Sequence, residues 1–208
     1  MTLAEMRSQC RRKLNEAAAT FFTDADIDAS LNEGLSQIAE VSGYFERQAI
    51  IPMLENRMYY DLSHIVTYDF LAPNAVYNPN GRKWLTATDF REMDSAWRQW
   101  ETQTGQPEKY LMRGNWILGV WPKPSVDVPA GLRLYYSGVP AALENETDTP
   151  GFDRERHHGI VDYAMSDLMT QIRETKKAEG YWQSFTVHAA DLKRDVQNRI
   201  SKARVDVL

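Results

Sequence analysis

The sequence predicts an α+β fold: a bundle of about four long helices drawn from both ends of the chain, with a central, mostly antiparallel β insertion that carries one intervening helix. Three observations predict it. Apolar residues recur at steps of three and four near both termini, short strand-like runs fill the middle, and Gly, Pro and Asn turn signals separate those runs. Helices at both ends with strands between them imply that the termini pack together. Residues 1–46 and 150–208 are therefore expected to form one helical domain, and residues 47–149 the β-rich insertion.

Leu3, Met6, Cys10, Leu14 and Ala17 mark one face of a first helix, which Thr2 can cap. Thr23 caps the second, with Asp26 three residues on as in a capping box; Ile27, Leu31, Leu35, Ile38 and Val41 form its stripe, and Gly43 ends it. From about Arg47 the period changes. Residues 48–54 and 58–62, separated by Glu55-Asn56, read as a hairpin, and Pro52 favours an edge strand because it has no N–H for a ladder. Residues 75–78 and 82–85 form a second hairpin about Pro79-Asn80-Gly81, where Pro presets a turn dihedral and Gly accepts positive φ. Residues 63–74 carry no decisive pattern.

Thr88-Asp89 opens a third helix, with Phe90, Met93, Trp97 and Trp100 on one face and Gly105 and Pro107 ending it. Residues 109–113 and 116–121 form a hairpin about Gly114-Asn115, and residues 132–137 supply another strand. A polar, acidic loop, residues 144–151, follows. Ile160, Val161, Ala164, Met165, Leu168, Met169 and Ile172 then make a stripe two residues wide, which buries more than a single-file one. Trp182, Phe185, Ala189, Leu192, Val196, Ile200 and Ala203 predict a long last helix that starts before Gly180.

At 208 residues, 43% apolar and 25% charged, the chain can bury a substantial core. No run of 18 apolar residues occurs and the first residues lack a signal-peptide pattern, so neither a membrane span nor signal-driven secretion is expected. Cys10 is the single cysteine, which excludes an intrachain disulfide and suits a reducing cytoplasm. The net charge of −5 argues against a broad grip on nucleic acid, which needs clustered Lys and Arg. The charge is uneven. Asp24, Asp26, Asp28, Glu33, Glu40 and Glu46 crowd residues 21–46, whereas Lys193, Arg194, Arg199, Lys202 and Arg204 lie near the C-terminal end. That asymmetry suits charge-matched contacts between protein surfaces.

Catalytic and metal motifs are weak. Asp24-Ala-Asp26-Ile-Asp28 begins like a calcium loop, but Ala29 stands where that loop needs Gly and Leu35 where it needs Glu. Acidic residues at a helix N-terminus explain the run better. His157 and His158, flanked by Asp153 and Asp162, point about 100° apart on a helix and cannot share a metal as an i, i+4 pair could. His64 and His188 read as packing or surface residues, and Cys10, on the apolar face of its helix, as a buried, inert thiol. Neither a Gly-x-Ser-x-Gly elbow nor a phosphate-binding Gly loop occurs. The Trp and Tyr residues are assigned to core and subunit-interface packing ahead of a ligand platform. No catalytic, cofactor-binding or metal-binding residue is assigned.

The order of motifs over residues 75–164 carries a resemblance. A hairpin with the turn Asn78-Pro-Asn-Gly81 before Leu85 precedes the helix of residues 88–100; Gly105-Gln-Pro107 and Tyr110 follow, then Pro122-Lys-Pro124, Leu134-Tyr-Tyr136, Pro140-Ala-Ala-Leu143 and Ile160-Val-Asp-Tyr-Ala164. This order resembles the head-to-tail adaptor (connector) proteins of tailed bacteriophages, close in architecture to the tail tubular, gatekeeper-type proteins. The helices before and after it extend the similarity over nearly the whole chain. The long acidic loop of residues 144–151 departs from the pattern.

The resemblance implies a virion structural protein, not an enzyme, without cofactor or membrane partner. It would be made in the host cytoplasm and placed in the virion neck as a homo-oligomeric ring, commonly a dodecamer, joining the portal protein to the nozzle or tube proteins of the tail. Genomic DNA would pass through its channel without sequence-specific binding. Such rings have heterologous interfaces. Asp24, Asp26, Asp28, Glu33 and Glu40 are accordingly expected at a subunit interface, and Arg199, Lys202, Arg204, Val205, Val207 and Leu208 at a portal contact. The alternatives are a virion-associated cell-wall hydrolase and a β-rich glycan- or receptor-binding module.

Overall fold

The computed structural model describes residues 1–16, 21–66, 70–96 and 98–205, the last seven of these as backbone only. The fold is α+β with mainly antiparallel sheets. Among the described residues, five α-helices run in chain order: α1 Leu3–Leu14, α2 Asp24–Ser42, α3 Phe90–Ala96, α4 His157–Gln171 and α5 Thr175–Val205. Contacts divide the chain into two compact units, residues 1–45 with 139–208, and residues 46–138.

The first unit holds α1, α2, α4 and α5 around one apolar core. Both N-terminal helices start as their sequences require: Thr2 and Thr23 accept the N–H of Glu5 and Asp26, and those carboxylates reach back to the cap backbone. Gly43, in the left-handed region at φ 63°, ends α2. Leu3, Met6, Cys10, Ile27, Leu31, Leu35 and Ile38 are buried. Val41 is 41% exposed instead, because after Ile38 the inward face passes to Ala39 and Ser42. Helix α4 buries both rows of its double stripe from Ile160 to Met169, while Ile172 lies past its end and is partly exposed. Phe185, Ala189 and Leu192 seat α5, whereas Trp182 faces outward. Ala17 lies outside the described residues, as do the side chains of Ile200 and Ala203.

Two glycines set how closely these helices approach. A Cβ on Gly34 would lie 3.0 Å from Tyr163 Cβ and 3.1 Å from the Ile160 carbonyl oxygen, so α2 nearly touches the backbone of α4. A Cβ on Gly159 would lie 2.9 Å from Ile38 Cδ1 and 3.0 Å from His188 Cβ. Residues 139–149, expected with the strands, belong to this helical unit. Leu143 joins its core, and the Asn32 side chain both accepts from the Leu143 N–H at 2.7 Å and donates to its carbonyl at 3.1 Å.

The second unit contains strands β1 Glu46–Met53, β2 Tyr59–Asp61, β3 Phe70–Asn78, β4 Lys83–Trp84, β5 Thr86–Ala87, β6 Thr104–Gly105, β7 Lys109–Arg113, β8 Ile117–Trp121, β9 Lys123–Pro124 and β10 Val128–Gly138. They form sheets in the orders β1-β10-β3-β4 and β2-β8-β7-β5, with β6-β9 as a short parallel pair. Leu132, Leu134 and Tyr136 of central β10 point inward with Ile51, Val76 and Leu118, and Arg133 and Tyr135 point outward, as the period of two requires. The edge position of β1 agrees with Pro52, where its register with β10 shifts.

The expected hairpin of residues 48–62 does not form. Its turn exists, with Arg57 N–H donating to the Leu54 carbonyl at 3.1 Å, but its arms enter different sheets, β1 against β10 and β2 against β8. The Tyr60 hydroxyl fastens this corner, accepting from Leu54 N–H and donating to the Arg57 carbonyl. In the β3–β4 turn, Asn78 Oδ1 accepts the N–H groups of Asn80 and Gly81, and Arg82, not Gly81, takes the positive φ of 49°. A Cβ at 81 would collide only with the end of the exposed Gln106 side chain, which can swing aside. Helix α3 stops at Ala96 instead of reaching Trp100: Gln99 turns left-handed at φ 57°, which lets Trp100 enter the core and its indole N–H donate to Asp94 at 2.7 Å. Trp97 lies outside the described residues.

Candidate assembly surfaces

The acidic start of α2 is largely engaged by its own chain. Arg7 of α1 grips Asp28 with two parallel bonds of 2.8 and 2.6 Å, Arg11 binds Asp24, and Asp26 accepts the Thr23 N–H at 2.8 Å and its hydroxyl at 2.7 Å. The Arg11 hydrogen bond holds the Asp24 carboxyl below its ordinary range, and the Thr23 bonds do the same for Asp26. Three of the five carboxylates expected at an interface thus tie α1 to α2 or cap α2. Glu33 and Glu40 are exposed. Of the expected portal-contact residues, Arg199, Lys202, Arg204 and Val205 fall where only backbone is described, and Val207 and Leu208 lie outside the described residues.

The histidine pair does not make a reactive centre. His157 is buried; its Nε2–H donates to the Phe152 carbonyl at 2.8 Å, which leaves Nδ1 to accept from the Met1 amino group at 2.6 Å. Burial lowers its pKa, and the neighbouring Met1 amino group and Arg154 act in the same direction. His158 points away and is exposed. Asp162, one turn on, is the carboxylate that sequence reasoning undervalued. It accepts from Lys13 Nζ at 2.7 Å and Ser184 Oγ at 2.6 Å, with His188 Nε2 at 3.8 Å, and so joins α1, α4 and α5. The spacing of Ser184 and His188, one turn apart on α5, was the available signal. Because Ser184 gives its proton to Asp162 and not to His188, this cluster is not a nucleophile–base pair. Cys10 lies beside it, its thiol pushed up to about 12 by burial.

Two outward faces stand apart. On the four-stranded sheet, Ile50, Arg133, Tyr77 and Trp84 are paired in one register row across all four strands and share its outer side. Trp84 is 40% exposed, with ring centroids 4.9 Å from Tyr77 and 5.5 Å from Tyr135. On the helical unit, Tyr163 of α4 sits over Gly34 of α2, with the rings of Phe185 at 5.2 Å and Trp182 at 6.1 Å. Trp182 is 46% exposed. Burial, and then the charges of Glu33 and Asp167, raise the Tyr163 phenol above its ordinary value. Sequence reading placed these aromatics in packing roles without separating Trp84 and Trp182 from the buried Trp100 and Trp121. Alternation alone does not tell which side of a sheet is covered.

Among the described residues, no helix is long and apolar enough to cross a membrane. No curated protein matches the chain. A family model described as SU10 adaptor protein matches residues 1–207, the span over which the helices, the β insertion and the motif order of residues 75–164 follow one another. The chain therefore belongs to the SU10 adaptor protein family, and its resemblance to phage head-to-tail adaptors rests on its full length.

Proposed function

We propose that the chain is the neck subunit of a tailed phage: a non-catalytic structural protein that forms a homo-oligomeric ring, a dodecamer in the arrangement the resemblance implies, between the portal protein and the tail. The family match over residues 1–207 carries this reading. The net charge of −5 supports passage of genomic DNA through the ring without tight attachment to its phosphates. In the ring Glu33 and Glu40 take part in the subunit interface, while Asp24, Asp26 and Asp28 shape α2 from within. Arg199, Lys202, Arg204, Val205, Val207 and Leu208 contact the portal. The basic and apolar composition of this C-terminal segment supports such a contact.

Incubating the purified chain with portal-bearing capsids of its virus, followed by cryo-electron microscopy of the neck, tests the proposal. A ring beneath the portal is the expected result. A chain that neither co-purifies with the portal nor appears at the neck would overturn it. Deleting residues 201–208 should abolish portal retention, and normal retention would defeat the assignment of that segment.

A further inference from the structure

We propose that neighbouring copies in this ring meet through the two outward aromatic faces, the Glu33–Tyr163–Trp182 face of one copy seating on the Ile50–Arg133–Tyr77–Trp84 row of the next. The inference rests on the ring reading and names the surfaces that build it.

Both faces have the composition of interface centres, where Trp, Tyr and Arg dominate binding and pair with similar clusters on the partner. Each exposes a tryptophan held by a tyrosine: Trp84 against Tyr77, and Trp182 against Tyr163. Their charges are opposite. Arg133 stands in the middle of the sheet row, between Ile50 and Tyr77, and among the described residues it has no carboxylate partner. Glu33 and Asp167 flank Tyr163 and, among the described residues, bond to neutral groups: Gln37 at 3.5 Å for Glu33, Ser30 at 2.7 Å and Gln171 at 3.2 Å for Asp167. Dimensions also agree. Four strands span about 14 Å, and three adjacent helices in close contact about 16 Å.

The faces are unlike each other, as the head-to-tail interface of a ring requires. A sugar is a poorer occupant of the sheet row, because the Trp84 plane is tilted 52° to Tyr77 and 47° to Tyr135 and no flat stacking surface results.

Charge reversal tests the pairing at two exposed positions that make no core contact. Ring formation on portal-bearing capsids is measured for the full chain, for Arg133→Glu, for Glu33→Arg and for the double variant, with circular dichroism confirming that each folds. Each single variant should lower ring occupancy about tenfold, and the double variant should return it to within about threefold of the unmodified chain. Trp182→Ala should lower it without rescue by either charge change. Rings that tolerate both single reversals would overturn this contact while leaving the ring reading standing. Absence of any ring from the unmodified chain would overturn both.

Discussion

His157 is held neutral by burial, between the Phe152 carbonyl and the Met1 amino group, and this couples folding to pH. The unfolded imidazole titrates near 6.5 and the folded one lower, so as pH falls the unfolded chain takes up its proton first. The stabilisation is present above about pH 6.5 and is lost below it, at no more than about 1.4 kcal/mol per pH unit. Urea midpoints followed by circular dichroism should therefore fall between about pH 7 and pH 5.5, and His157→Gln should flatten that slope. Arg7→Ala leaves Asp28 without its bidentate partner in a largely buried setting and should cost about 2 kcal/mol, measured in the same titration. Cys10, with its thiol near 12, should resist alkylation at about pH 8 until the helical unit is unfolded. These residues differ in legibility. Cys10 could be placed from its stripe alone, but one partner each of His157 and Asp162 lies more than a hundred positions away, in Met1 and Lys13, beyond the reach of local spacing.

Elements were legible where local chemistry decides them. The Thr23–Asp26 capping box, the stripes of α1, α2 and α4 and the hairpin about Gly114 need only neighbours a few residues apart. Strand partners are different: the alternation of residues 48–62 shows that strands exist, but not that β1 joins β10 and β2 joins β8. Nor could spacing reveal that α3 would end before Trp100, since burying that indole beside Asp94 is a tertiary gain that outweighs continuing the helix. The helix contacts offer a direct measurement. Gly34→Ala gains about 1 kcal/mol of helix propensity, yet forces a methyl to within 3.0 Å of Tyr163 Cβ. Overpacking of this kind costs about 1–3 kcal/mol, so thermal unfolding should show net destabilisation. A higher melting temperature would mean that α2 and α4 can separate at little cost.

At the scale of the molecule, the β-rich unit begins and ends on adjacent strands, with Glu46 of β1 opposite Ser137 of β10. It has its own apolar core, including Ile51, Val76, Leu118, Leu132 and Leu134. Residues 46–138 expressed alone should therefore fold and melt cooperatively, as read by circular dichroism and by dispersed amide resonances; a disordered fragment would show that the unit depends on the helices. The helical unit has no such independence along the chain, because α2 buries Ile27, Leu31, Leu35 and Ile38 in a core shared with α4. During synthesis α2 ends at Ser42 and α4 begins only at His157, 115 residues later, an interval on the order of ten seconds at ordinary elongation rates. Helices α1 and α2 leave the ribosome long before α4 and are therefore among the last to be covered. Their apolar faces wait, open to chaperones or to stray partners, while the unit between them folds first.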